Sequence, residues 1–181
     1  MSMFPLASIN MNSGAAASFN FTNIPSTFTH LQLRCFVRAT SSQSTPYDLT
    51  LTVNGTNPTE FAYHQLRGDG SSVSSANLTS DNVFRIPLAV PDAFHTANVF
   101  GNVVIDILDY ANTNKSKTMR AIFGWDNNGG SSPSAGWTGL TSSGWFNTNA
   151  INRLEIATFG NFSQYSRVDL YGISTSTATG A

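Results

Sequence analysis

Apolar and polar residues alternate with a period of two along most of the chain. Between residues 29 and 40, Leu31, Leu33, Cys35 and Val37 fall on one face, and Gln32, Arg34, Phe36 and Arg38 on the other. Between 47 and 54, Leu49, Leu51 and Val53 alternate with Asp48, Thr50 and Thr52. Successive strand side chains point to opposite faces, so this pattern predicts strands buried on one side only. Further strands are predicted at 60–67, 83–88, 102–110, 117–125, 151–159 and 166–173, with shorter ones at 18–22 and near 137–146. The segment 102–110 is apolar on both faces, at Val103, Val104, Ile105, Ile107 and Leu108. That suits a central strand covered on both sides.

Turn formers separate these segments: Asn54-Gly55, Gly68-Asp69-Gly70, residues 126–130 and Gly160-Asn161. Helix signals are thin, with Pro91-Asp92 ahead of Ala93, Phe94 and Ala97 allowing one short turn. The expected fold is all-β, an antiparallel jelly-roll-like β-sandwich of about 8–10 short strands. The sandwich is expected over 18–173, between an N-terminal arm (1–17) and a C-terminal tail (174–181). The Ser-rich stretch 71–80 and the Gly/Ser-rich stretch 127–143 read as mobile.

Composition narrows the function. Ser (23), Thr (20) and Asn (18) make up about a third of the 181 residues, and only 10% are charged. Lys and Arg are too few to neutralise a run of phosphates, so nucleic-acid binding is not expected, and neither is a polybasic membrane surface. A 40% hydrophobic and 12% aromatic content argues for a folded core rather than disorder. The single cysteine, Cys35, forbids an internal disulfide. No basic segment followed by a long apolar run opens the sequence, and no run of 18 apolar residues occurs, so synthesis in a cytoplasm is expected.

Chemical motifs are absent. His30, His64 and His95 lie far apart, outside any H-E-x-x-H context, and read as ordinary strand or loop histidines. No G-x-S-x-G elbow is present, and Glu60 and Glu155 are the only glutamates. Asp126-Asn127-Asn128-Gly129 lacks the closing glutamate of a calcium loop. Five N-x-[ST] sequons match what this Asn, Ser and Thr content gives by chance, about four. Neither an enzyme nor a metal or cofactor site is expected.

Two groups of residues stand out as candidates for contact. Phe36, Trp137, Trp145 and Phe146 are aromatics left over once the alternating strands have filled one core. They, with Trp125, could cap the sandwich, form a subunit interface or stack on a glycan. In the arm, Met3, Phe4, Leu6, Ile9 and Met11 surround Pro5 and keep no strict period. This suits an extended strap laid on another surface; the alternative is a first strand of the same sandwich.

Three stretches carry a family resemblance: FNFTNIPSTFTHLQLRCFVR (19–38), DILDYANTNKSKT (106–118) and INRLEIATFGNFSQYSRVDLYGI (151–173). In that order the chain resembles β-sandwich structural proteins of tailed bacteriophages. The resemblance implies a virion protein, either a capsid cement (decoration) protein or a module of a tail fibre or spike, commonly trimeric. No collagen-like, coiled-coil or β-helical shaft pattern is present, which favours a cement protein on the capsid exterior. Its expected partners are the major capsid protein and further copies of itself in a homotrimer, whose cyclic symmetry would close the patch left by the spare aromatics. A tail-appendage module that binds other appendage proteins or a host surface glycan is the alternative.

Overall fold

The computed structural model describes residues 2–13, 15–55, 59–127 and 135–174. These residues form twelve antiparallel strands: β1 (Ser2–Asn10), β2 (Ala16–Phe21), β3 (His30–Val37), β4 (Tyr47–Val53), β5 (Phe61–Gly68), β6 (Val73–Asp81), β7 (Phe84–Val90), β8 (Gly101–Leu108), β9 (Lys117–Asp126), β10 (Gly136–Trp145), β11 (Leu154–Phe162) and β12 (Arg167–Ser174). They form an eight-stranded sheet, ordered β1-β12-β3-β8-β9-β10-β5-β6, and a four-stranded sheet, ordered β2-β11-β4-β7. The architecture is all-β and sandwich-like, as the alternation predicts, with more strands than the expected 8–10. Among the described residues there is no helix, and Pro91-Asp92 opens only a turn.

The core follows from parity. Leu31, Leu33, Cys35 and Val37 are buried from β3, and Val103, Ile105 and Ile107 from β8. Leu49, Leu51 and Val53 on β4 and Leu154 and Ile156 on β11 join the same cluster. Each such aliphatic side chain contributes about 1.5–3 kcal/mol on burial, so the two inner faces hold the sheets together. Asn54 ties β4 to β11 beyond the strand ends: its Oδ1 accepts from the backbone N–H of Asn152, and its amide donates to the Ala150 carbonyl.

β7 links the layers. It pairs with β4, with a register shift between Tyr47 and Leu49, and its end reaches across the large sheet. There Gln65 Nε2 donates to the Pro87 carbonyl at 3.0 Å and Trp125 Nε1 to the Leu88 carbonyl at 3.0 Å. Leu88 sits at φ +62°, a left-handed conformation that costs an L-residue about 1–2 kcal/mol. The Trp125 bond and the Asp48 carboxylate, which accepts from the Leu88 N–H at 3.1 Å, hold it there.

Several expectations are corrected. The division into an arm at 1–17 and a sandwich from 18 fails, because β1 pairs with β12 from Ser2↔Ser174 to Asn10↔Arg167 and β2 begins at Ala16. Pro5 lacks an N–H and is tolerated because β1 is an edge strand, with a register shift beside it. The stretch 71–80, expected to be mobile, is mostly the edge strand β6; of 127–143, residues 136–143 lie in β10 and 128–134 lie outside the described residues. β8 is central but covered on one side only: Val104 and Leu108 face outward, half-buried. Ser174 belongs to β12, and the rest of the expected tail lies outside the described residues.

Candidate functional site

The outward face of the large sheet carries the most distinctive surface. Its strand register aligns one row of side chains across adjacent strands, Val104 opposite Ile122, Ile122 opposite Leu140, and Leu140 opposite Leu66. Ile122 is 65% exposed, Leu66 56% and Leu140 48%. The row continues through Arg34 to Asp169 at one end and to Ser75 at the other. These residues have the parity opposite to the core, so the register that buries Val103, Ala121 and Phe123 turns them to solvent.

Polar residues flank the row on one side. Gln32, Asp106, Arg120, Ser142 and His64 follow one another across β3, β8, β9, β10 and β5. Asp106 accepts from Gln32 Nε2 at 2.9 Å and lies 3.6 Å from the Arg120 guanidinium. Arg34 Nε donates to Gln32 Oε1 at 3.1 Å, and its guanidinium lies over the Tyr171 ring. On the other side run Phe36, Asn102, Gly124, Thr138 and Gly68, ending at the exposed Val73.

The sequence-selected aromatics separate. Phe36 is half exposed and stacks on Phe100 with centroids 4.8 Å apart. Phe146 is 63% exposed and packs against Gly144. Trp145, expected among the spare surface aromatics, is instead a core residue, 2% exposed, stacked on Phe61 and donating to Glu60 Oε2 at 3.2 Å. Trp137 is half-buried under the Arg67 guanidinium, 5.4 Å from its ring centroid. It lines a groove with Gly68, Asp69, Gly124, Asp126 and Gly136. Within that groove the Asp69 carboxylate accepts from the N–H groups of Ser71 and Ser72, which shapes the β5–β6 turn.

The N-terminal candidates split in the same way. Met3 and Phe4 are exposed at 42% and 46%, although Phe4 touches Phe28. Leu6, Ile9 and Met11 are partly buried against the core. Leu6 and Ile9 line a cleft with Phe21, Ile24 and Leu170.

Buried polar clusters outside these surfaces serve the fold. Asp92 and His95 are fully buried and 2.8 Å apart, and Asp92 also accepts from the N–H groups of Gln43 and Phe94. Arg38 donates to the carbonyls of His95, Thr96 and Val99 at 2.7–2.9 Å. Burial pulls the Arg38 pKa down, and the Asp92 charge opposes that shift. Lys117 does for another loop what Arg38 does here, its ammonium donating to the carbonyls of Asn112, Lys115 and Thr148. His30 Nδ1 accepts from the Asp109 N–H at 3.0 Å, and His64 is exposed on the outer face. Among the described residues no group of three or more His, Cys, Asp or Glu is placed to hold a metal ion.

Of these features, only the selected aromatics and the outward apolarity of Val104 are open to sequence reasoning. The aliphatic row itself is not, because its members become neighbours only through strand register. Comparison with protein-family models, with curated proteins and with solved structures finds no match. No helix among the described residues is long and apolar enough to cross a membrane.

Proposed function

We propose that the chain is a structural protein of a tailed-phage virion: a capsid cement subunit that stabilises the head by bridging neighbouring capsid subunits from outside. The observation that carries this reading is the aliphatic row across the solvent face of the large sheet. A contiguous apolar strip rimmed by polar residues is the usual mark of an interaction surface. Bridging requires no chemistry, only buried area at about 25 cal/mol per Å² beyond the cost of ordering the contact. A bridge also needs a second surface. The outer edge of β1 supplies one, with Met3 and Phe4 exposed beside backbone groups that no described strand pairs.

A second reading, a tail-appendage module that contacts a host glycan, draws on the Trp137 groove. A half-buried indole beside carboxylates and a glycine-lined floor suits the flat face of a sugar ring. Particle composition separates the two. Many copies per virion, located on the shell and lost with it, support cement. A few copies at the tail support the appendage. Purified particles that lack the protein refute both.

A further inference from the structure

We propose that the outer face of the eight-stranded sheet pairs with the same face of a second copy of this chain. The pairing runs about a two-fold axis parallel to the strands, between β8 and β9. It rests on reading the aliphatic row as a contact surface and gives that surface to a second copy, so that in the virion reading the bridge to capsid subunits runs from the exposed β1 edges of the pair.

Charge selects the occupant. The face carries both signs side by side, Arg120 opposite Asp106 and Arg34 opposite Asp169, and the whole chain has a net charge of only −1. A strongly acidic or basic partner would meet a matching and a clashing charge together, whereas a second copy can be turned so that Arg120 and Asp106 meet, with Arg34 and Asp169, already neighbours within one chain, laid over Leu140 and Leu66 of the other. A two-fold axis lying in the contact plane sets each row over the same row and reverses the strand order. With the axis between β8 and β9, Asp106 of each copy lies over Arg120 of the other, and Val104 lies over Ile122. Aligned sheets cross at roughly 30°, which displaces distant rows but leaves the contacts nearest the axis in place.

The area reaches the size of a stable contact. An axis between β8 and β9 sets β8 over β9, β3 over β10 and β12 over β5, six strands of each copy, which at about 4.8 Å spacing and with three side-chain rows about 6.8 Å apart cover about 590 Å². Two such faces bury about 1,200 Å², the lower bound of the roughly 1,200–2,000 Å² of a standard stable interface. A face that meets itself closes at two copies, whereas a trimer needs the face to meet a different surface.

Sedimentation velocity on the isolated protein at micromolar concentration is expected to give a dimer. Ile122→Lys, at a 65% exposed position, should weaken association by at least about tenfold with an unchanged far-UV circular dichroism spectrum. Asp106→Arg and Arg120→Asp should each dissociate alone, because each sets like charges over one another. Mixed together they should form a heterodimer, in which every arginine of these two positions again faces an aspartate across the axis. A monomer, a trimer, a dimer insensitive to Ile122→Lys, or a mixture that stays monomeric would each overturn the pairing. None of these results bears on where the protein sits in a particle, so a failed pairing and a failed virion assignment are read from separate measurements.

Discussion

Arg38 offers a sharp test of how this sandwich is held at one end. It follows β3 on the polar side of the alternation, yet it is 9% exposed. Its guanidinium donates to three carbonyls of the 95–99 loop, at 2.9, 2.7 and 2.9 Å. Replacing it by Met keeps most of the apolar stem and removes every donor. A hydrogen bond to a charged group is worth about 1.5–3 kcal/mol, and three would sum to more than a surface loop retains once water reaches its carbonyls. The favourable interaction between the Arg38 charge and Asp92 is lost as well. The expected cost is therefore about 3–5 kcal/mol, the range for breaking a buried ionic cluster from one side. For a domain of this size that corresponds to a fall in Tm of about 6–20 °C. Arg38→Lys keeps the charge without the planar fork and should fall between the two. Calorimetry or urea unfolding at pH 7 reads the effect. A loss below about 1 kcal/mol for Arg38→Met, the scale of an exposed substitution, would refute the claim that this side chain organises the loop.

Two further outcomes follow from buried or paired groups. Burial, with a smaller contribution from the Asp169 charge, pushes the Cys35 thiol far up, so it stays protonated and shielded at neutral pH. A thiol reagent should modify it only as fast as the protein unfolds; stoichiometric labelling of the native protein within minutes would contradict its place in the core. The hydrogen-bonded Lys115 ammonium holds the Asp109 carboxyl below the usual carboxylate range, against an opposing effect of burial. A depressed carboxylate stabilises the fold above the unfolded value near 4, and that contribution is lost as pH falls through the lower folded value. The stability gap between wild type and Asp109→Asn should therefore shrink as acid is added, and a gap that widens would reverse the assignment. Asn tolerates the φ of +49° at this position, so the backbone is not perturbed.

The strands legible in the sequence are those with one dry face. β3 and β4 declare themselves because Leu31, Leu33, Leu49 and Leu51 all point into the core. β6 escapes the pattern because it is an edge strand whose residues are mostly solvated, so hydrogen bonding to β5 rather than burial makes it a strand. β1 reads as a strap because a register shift beside Pro5 breaks the period of two. Trp145 misleads for a different reason. The inward positions before it on β10 are Ser143 and Thr141, both buried and polar. They satisfy themselves through the Ala62 carbonyl and Gln65, in the part of the large sheet where β7 covers it. With polar residues facing inward, hydrophobicity gives no parity, and the tryptophan looks surplus.

The aliphatic row is illegible on more general grounds. Single exposed apolar residues are common and carry no message. Val104, Ile122, Leu140 and Leu66 come from four strands, and each is ordinary in its own segment. Register makes them a strip, and the same register fixes the core, because a one-residue slip of any of these strands would exchange its inner and outer residues. The two faces are therefore coupled in alignment but separable in composition. Replacing Ile122 by a charge leaves Ala121 and Phe123 where they are, whereas moving the strip would require rebuilding the sandwich. That separability makes a surface strip variant a fair probe of assembly, since a change in association without a change in unfolding points to the face alone.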